Sequence, residues 1–191
     1  RWWIVVADVS GKGVPAGLVA SNIQACLWTR RASSDPLSKV IADVNEILCR
    51  LTRGRKYATL VAAEWSSTNE TLTWVSAGHP PLMLRREGSV QDFGATGRPI
   101  GLLSDQIYEA EEARLADGDT VLLYTDGLLE AGGLSGADEF GLDRIRASLE
   151  EGEDPCDVIG RLTASLADHI DGGESEDDVT VVCMRRKGVE G

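Results

Sequence analysis

Residues 2–13 read WWIVVADVSGKG, an apolar run that ends in a carboxylate and a glycine-containing turn. The run over residues 2–7 is typical of a buried β-strand. Asp8 follows it directly, and the Gly11-Lys12-Gly13 segment suits a tight turn because glycine adopts backbone conformations that other residues avoid. Three interpretations are open here: Asp8 is a metal ligand, the glycines cradle a phosphate, or the segment is a plain turn into a helix.

Two amphipathic helices are predicted downstream of this turn. Pro15 suits the first turn of a helix, and the apolar residues that follow recur at helical spacing: Val19, Ile23, Cys26 and Leu27. The segment Ser34-Asp35-Pro36 predicts the start of a second helix, which ends near Arg53-Gly54. Its apolar stripe consists of Leu37, Val40, Ile41, Val44, Leu48 and Leu51.

The remainder of the chain alternates between strand patterns and turn signals before helical patterns return. Strands are predicted over residues 58–65, 71–77, 82–86, 90–93, 108–115, 120–124 and 179–184, and helices over residues 142–149 and 156–170. Successive hairpins framed by helices predict an α+β protein with a largely antiparallel sheet.

Composition limits the classes of function. A length of 191 residues fits one domain, residues 1–191, and the net charge of −12 argues against nucleic-acid binding. No apolar stretch reaches the roughly 18 residues that span a bilayer. The four cysteines are scattered and are interpreted as small buried hydrophobic residues in a reducing compartment, so a cytoplasmic location is expected: Cys26, Cys49, Cys156 and Cys183.

Carboxylates occur at three boundaries between an apolar strand and a turn. They are Asp8, Asp126 in VLLYTDGLLEA, and Asp177-Asp178 in SEDDVTVV. Each one alone is typical of a turn or a helix cap. Three carboxylates brought together would repel one another unless they shared protons or a cation. Oxygen ligands without cysteine or histidine suit Mg²⁺ or Mn²⁺.

Five segments, in order and spacing, carry a resemblance to a known family: ADVSGKG, SAGHPPLML, GRPIGLL, GDTVLLYTDGLLEA and EDDVTVV. Together they resemble the bacterial metal-dependent serine/threonine protein phosphatases. This is the branch of the protein phosphatase 2C superfamily that is similar to sporulation stage II protein E and to the phosphatases that regulate stress sigma factors. The resemblance implies an antiparallel β-sandwich flanked by helices.

The resemblance also implies roles for individual residues. Asp8 matches the aspartate that bridges two metal ions, and the backbone carbonyl of Val9 matches a further ligand. Asp126 and Asp177 match ligands of one of these ions, so Asp8, Asp126 and Asp177 are the expected catalytic residues. Asp178 stands where the family often has asparagine and ranks below Asp177. Ser10 stands where eukaryotic relatives carry a histidine proposed as the general acid.

Two further residues of these motifs have a structural and a functional interpretation. His79 lies in the AGHPP motif, and a structural histidine hydrogen-bonded beside the Pro-Pro turn is favoured over a catalytic one. For Lys12, a solvated turn lysine is favoured over a contact with substrate phosphate. The phosphate-cradle interpretation of the glycines is poor because the GxxxxGK[ST] spacing is absent.

The activity implied is hydrolysis of phosphoserine or phosphothreonine on a bacterial signalling protein, typically an anti-sigma-factor antagonist, by a water activated between two Mn²⁺ or Mg²⁺ ions. The helical hairpin after Asp8 matches helices that act as a switch in relatives, although plain sheet-covering helices fit the same stripes. Family members supply another acidic ligand from a strand upstream of Asp8. We therefore expect the C-terminal part of a longer regulatory protein, N-terminally truncated here, with an upstream sensor domain. The alternatives are a catalytically inactive phosphoprotein-binding module and a Mg²⁺-dependent nucleotide-binding protein.

Overall fold

A computed structural model of the chain describes residues 1–132, 138–171 and 177–188. The chain divides into two units, and it enters each of them twice. The first unit consists of Arg1–His79 and Gly94–Arg114, and the second consists of Pro80–Phe93 and the chain from Leu115 onward.

The first unit contains one antiparallel sheet and two helices. Its elements are β1 (Trp2–Val9), α1 (Val14–Arg30), α2 (Leu37–Thr52), β2 (Ala58–Ser66), β3 (Thr71–Ala77) and β6 (Glu111–Arg114), and the strand order is β1-β2-β3-β6. The strand β1 lies at one edge of this sheet, and its register places Asp8 opposite Thr59.

The apolar face of α2 packs against this sheet. Val40, Ile41 and Val44 are almost completely buried, and they lie in one cluster with Leu60 and Val75 of the sheet. Burying a Val, Leu or Ile side chain contributes about 1.5–3 kcal/mol, so this stripe is the main attachment of the helix. The hydrophobic period of 3.6 residues thus predicts both the helix and the face that it buries.

The second unit contains the other antiparallel sheet and three helices. Its elements are β4 (Leu82–Arg86), β5 (Ser89–Phe93), β7 (Thr120–Tyr124), α3 (Asp126–Leu129), α4 (Gly141–Glu151), α5 (Pro155–His169) and β8 (Val181–Arg185), with strand order β5-β4-β7-β8. Every residue of β7 is buried, which explains the apolar run over residues 121–124. The helices α4 and α5 cover this sheet through Ile145, Leu149, Val158 and Leu162.

The observed elements confirm most of the sequence-based expectations and correct three of them. The strand predicted over residues 108–115 pairs only at Glu111–Arg114, because the Tyr108 ring packs instead against Gly97 in the core. Leu51, placed in the buried stripe of α2, is 60% exposed. Of the cysteines expected to be buried, Cys156 is exposed and the other three are only partly buried. The short helix α3 was not expected.

None of the helices within residues 1–132, 138–171 and 177–188 is long and apolar enough to cross a membrane.

Candidate active site

Asp8 lies one residue before the end of the edge strand β1, where the chain turns into α1. Asp8 is half-buried, and Val9 is the last residue of the strand. Gly11 and Gly13 follow with backbone φ angles of +88° and +75°, in the left-handed region that favours glycine. Gly13 also occupies the N-cap of α1. The sequence-based prediction of a tight turn after Asp8 is therefore confirmed.

A hydrogen-bonded clamp holds this turn to the chain that follows α2. The Ser10 amide donates to the Tyr57 carbonyl at 2.9 Å, and the Tyr57 amide donates to the Ser10 hydroxyl at 3.1 Å. The Lys56 ammonium donates to the Ser10 carbonyl at 2.9 Å. The amide, carbonyl and hydroxyl groups of Ser10 all have hydrogen-bond partners on residues 56 and 57, and these bonds hold the turn beside Asp8 in place.

His79 is buried in the same unit, two residues after the end of the strand β3. Its Nδ1 atom lies 3.0 Å from the Thr59 hydroxyl, and Thr59 is the β2 residue opposite Asp8. The side chain is only 4% exposed. This placement fits the structural interpretation of His79, because its hydrogen bond joins the chain after β3 to Thr59, the residue opposite Asp8.

Asp126 begins the short helix α3 directly after the buried strand β7. Thr125, the residue between them, is extended and buried, and it connects this strand end to the chain before β8. Its hydroxyl donates to the Asp178 carbonyl at 3.1 Å and accepts from the Thr180 amide at 3.0 Å. Its amide donates to the Thr180 carbonyl at 3.0 Å. Asp126 and Asp177 therefore stand on two segments that are hydrogen-bonded side by side.

Gly127 allows these two segments to approach. A Cβ atom at Gly127 would lie 2.5 Å from the Asp178 carbonyl oxygen, closer than real Cβ contacts allow. The Asp178 amide in turn donates to a carboxylate oxygen of Asp177 at 2.9 Å, which orients that side chain. The TDG sequence thus provides a carboxylate and, next to it, the only residue type that leaves room for the second acidic segment.

Negative charge is concentrated around these carboxylates. Burial raises the pKa of Glu130, and the charges of Asp126, Glu139 and Asp177 raise it further. Glu130 and Glu139 were not predicted as part of the site. The signal for Glu130 was its position four residues after Asp126, one helical turn further along the chain, where it caps the end of α3.

The structure brings Asp126 and Asp177 together in the second unit, and it places Asp8 and Val9 at the end of β1 in the first. Their common metal centre stays a prediction. The carboxylate donors and the raised pKa of Glu130 fit a hard divalent cation, which would relieve the repulsion. Among the described residues, neither unit by itself gathers three His, Cys, Asp or Glu side chains as a metal cage.

Comparison with known proteins identifies relatives of the chain. The profile of the family described as stage II sporulation protein E matches residues 1–187. Phosphoserine phosphatase RsbU of Bacillus subtilis (strain 168) is 26% identical over 189 residues, which cover 96% of this chain and 55% of RsbU. Phosphoserine phosphatase RsbP of the same organism is 25% identical over 135 residues, 68% of this chain and 34% of RsbP. The matched part of this chain thus spans about half the length of RsbU and about a third of the length of RsbP.

Solved structures show the same fold. The SiaA-PP2C domain of Pseudomonas aeruginosa aligns with a TM-score of 0.79 and 25% identity, over 97% of this chain and 76% of that one. The PP2C phosphatase domain of SpoIIE from Bacillus subtilis aligns with a TM-score of 0.81 and 22% identity, over 96% and 54%. The catalytic domain of the phosphatase PstP, solved with 2 manganese ions, aligns with a TM-score of 0.69 and 17% identity, over 95% and 86%. The predicted protein phosphatase 2C-like α+β fold is confirmed.

Proposed function

Because this chain belongs to the stage II sporulation protein E family, we propose that it is the phosphatase portion of a metal-dependent protein serine/threonine phosphatase. The observation that carries the proposal is the pairing of the Asp126 and Asp177 segments through Thr125, with the crowded negative charge that raises the pKa of Glu130. A site of this charge suits divalent cations and, through them, a phosphoryl group.

The metal ligands in this proposal are the carboxylates of Asp8, Asp126 and Asp177 and the backbone carbonyl of Val9. Two bound Mn²⁺ or Mg²⁺ ions would supply an activated water and neutralise charge on the phosphoryl oxygens. The chain itself does the positioning. Thr125 aligns the Asp126 and Asp177 segments, and the clamp at Ser10 holds the turn beside Asp8.

The proposed substrate is phosphoserine or phosphothreonine on a bacterial signalling protein of the anti-sigma-factor antagonist type. Support comes from RsbU and RsbP, two relatives named phosphoserine phosphatases. We further propose that the chain is the C-terminal part of a longer cytoplasmic protein, with an upstream regulatory domain and a strand that contributes another acidic ligand.

The test measures whether the full-length protein hydrolyses p-nitrophenyl phosphate and three versions of one peptide. The versions differ only in carrying phosphoserine, phosphothreonine or phosphotyrosine at the same position. We expect Mn²⁺-dependent activity, with the phosphotyrosine peptide the poorest substrate. Asp8→Asn and Asp177→Asn should each lower kcat by at least about 100-fold, because each removes a charged ligand. Asp178→Asn should cost less than Asp177→Asn.

Asp105→Asn is the matched control, because Asp105 is exposed and its φ of 55° also suits asparagine. This variant should retain the activity of the unmodified protein. Failure of the full-length protein to hydrolyse any of these substrates would favour a non-catalytic phosphoprotein-binding module. A larger loss in Asp178→Asn than in Asp177→Asn would contradict the assignment of the closing motif.

A further inference from the structure

The charge of the chain is distributed unevenly along its sequence. Residues 1–56 contain nine basic and four acidic residues, a net charge of +5, whereas residues 57–191 contain ten basic and 27 acidic residues, a net charge of −17. The net charge of −12 therefore conceals a basic segment, which consists of β1, α1, α2 and their connections.

Three of the four acidic residues of this segment are already paired within the helical hairpin, where Asp35 lies 3.8 Å from the Arg30 guanidinium. Asp43 pairs with Arg30 and Lys39, and Glu46 pairs with Arg50. The excess positive charge is left at two ends, one of which adjoins the Asp8 turn. There, Lys12 lies in the turn and three basic residues follow α2. We call Lys12, Arg53, Arg55 and Lys56 the basic patch.

One member of the basic patch, Lys56, differs in role from the other three. Lys56 is half-buried, and its ammonium group donates a hydrogen bond to the Ser10 carbonyl. This bond holds the segment after α2 to the Asp8 turn. Arg53 and Arg55 are exposed, and within the described part of the chain neither guanidinium has an ion-pair partner. Lys12 is exposed in the turn itself. The patch thus presents unneutralised cations on a segment that is hydrogen-bonded to the turn carrying Asp8.

We propose that Lys12, Arg53 and Arg55 bind acidic residues that flank the phosphorylated serine or threonine of the protein substrate. This inference rests on the proposed function and specifies which phosphoproteins the site selects. Charge complementarity carries it, because cations beside a substrate site favour a substrate region of opposite charge. Tyr57, 41% exposed and bonded to Ser10, adds an apolar surface for the flanking side chains.

The arrangement disfavours a second ligand class, an anionic membrane surface. The basic patch is fastened to the Asp8 turn by three hydrogen bonds, from Ser10 to Tyr57, from Tyr57 to Ser10 and from Lys56 to Ser10. A surface held in this way moves with the turn, which suits selection of the substrate that the turn would process. Binding to lipid needs no such attachment.

The experiment compares two phosphoserine peptides that differ only in their flanks, one with Asp and Glu and the other with Asn and Gln. Binding to the full-length protein is measured by fluorescence anisotropy in EDTA, and hydrolysis is measured with Mn²⁺. We expect the acidic peptide to bind about tenfold more tightly at low salt, and we expect 0.5 M NaCl to remove this preference. Hydrolysis should show the preference in KM rather than in kcat.

The test variant is Arg53→Asn/Arg55→Gln, in which asparagine suits the left-handed φ of 54° at residue 53. It should bind both peptides alike. The matched control is Arg31→Gln/Lys39→Gln, which removes the same charge at the other end of the helical hairpin, about 20 Å from Arg53 along α2. This control should keep the preference of the unmodified protein.

The outcomes separate this inference from the proposed function. Equal binding of the two peptides by the unmodified protein, or equal loss of preference in test and control variants, would overturn the role of the basic patch even if hydrolysis is observed. Preferential binding in EDTA without hydrolysis would support the patch and contradict the phosphatase proposal. A third outcome would assign the patch to a membrane surface instead. In that case the unmodified protein shows no peptide preference but binds phosphatidylglycerol vesicles, and Arg53→Asn/Arg55→Gln abolishes the vesicle binding.

Discussion

At Gly127 the backbone of α3 comes so close to the Asp178 carbonyl that a Cβ atom would lie 2.5 Å from the oxygen. Backbone cannot give way as a flexible side chain can, so Gly127→Ala must displace the segment that carries Asp177. We expect a loss of about 1–3 kcal/mol in stability, typical of overpacking, and at least a tenfold fall in kcat. Urea unfolding and phosphatase assays of the full-length protein measure the two effects.

Gly160 offers the control for this substitution. It lies in α5, and nothing lies within 4 Å of the position that its Cβ would take. Gly160→Ala should stabilise the protein by about 0.5–1 kcal/mol and leave kcat unchanged, because alanine restricts the unfolded chain. If Gly127→Ala retained full activity, the close approach of the two acidic segments would be irrelevant to the reaction.

Single residues show how far the candidate site could be predicted. Asp126 and Asp177 were identified because each follows or precedes an apolar run, and the structure holds their segments together through Thr125. Glu130 was missed, because α3 is too short to make its spacing from Asp126 stand out, and because its raised pKa depends on burial and on charges that are distant in sequence. Periodicity carries no information about such a through-space effect.

The helical hairpin of α1 and α2 provides a prediction at the level of elements. Asp43 on α2 accepts hydrogen bonds from Lys39 in the same helix and from Arg30 of α1, at 2.7 Å for Arg30. The hydrogen bond from Lys39, together with the charges of Lys39 and Arg30, lowers the pKa of Asp43. A carboxyl group with a lowered pKa in the folded state stabilises it above its unfolded pKa, about 3.9 for Asp, and this contribution is lost as the pH falls.

Asp43→Asn should therefore destabilise the protein at pH 7 by about 0.5–1 kcal/mol, the usual range for a solvent-accessible ion pair. The difference from the unmodified protein should shrink at pH 4 and below. Urea unfolding at both pH values measures it. Glu46→Gln removes a pair within one helix and should cost about 0.3–0.5 kcal/mol. A pH-independent effect of Asp43→Asn would show that packing, rather than charge, joins the helices.

Elements differed in how well the sequence predicted them. The helix α2 was expected within a residue or two of its bounds, because a buried stripe at helical spacing marked it and Arg53 adopts the left-handed conformation that ends it. The helix α3 was missed because its four residues are too few to show a period. The strand β6 was predicted too long because an alternating pattern cannot tell a paired residue from Tyr108, which packs over Gly97.

The whole molecule should respond to metal, since the proposed centre draws on carboxylates from several elements. At 100 times the dissociation constant, a bound ion stabilises a protein by about 2.7 kcal/mol. For a chain of this length, that corresponds to a rise of roughly 5–10 °C in the melting temperature. Calorimetry of the full-length protein with Mn²⁺ and with EDTA should show this shift at pH 7.

Asp126→Asn should lose most of this Mn²⁺-dependent shift, because it removes one charged ligand, and Asp105→Asn should keep it. The same melting temperature in Mn²⁺ and EDTA would contradict the metal centre. A full shift in Asp126→Asn would exclude Asp126 as a ligand while leaving a metal elsewhere.

At the same scale, the sequence predicted the class of the fold but not its connectivity. Hairpin signals predicted antiparallel neighbours, and β4 and β5 do pair directly. The pairing of β3 with β6, across an excursion of the chain through β4 and β5, leaves no local signal, because strand order depends on long-range packing. Family resemblance supplied what the pattern of residues did not.

That interleaved path has a consequence for synthesis on the ribosome. The hairpin of β4 and β5 is synthesised before β6 completes the first sheet. Its own sheet is completed later, when β7 pairs with β4 and β8 pairs with β7. At about 5–20 residues per second, several seconds pass between the synthesis of β5 and that of β8, which completes the sheet beside β7. We expect Leu82, Met83 and Leu84, which are buried in the finished protein, to be exposed to chaperones during that interval. Translation speed between β5 and β8 therefore sets how long the growing polypeptide is vulnerable to aggregation.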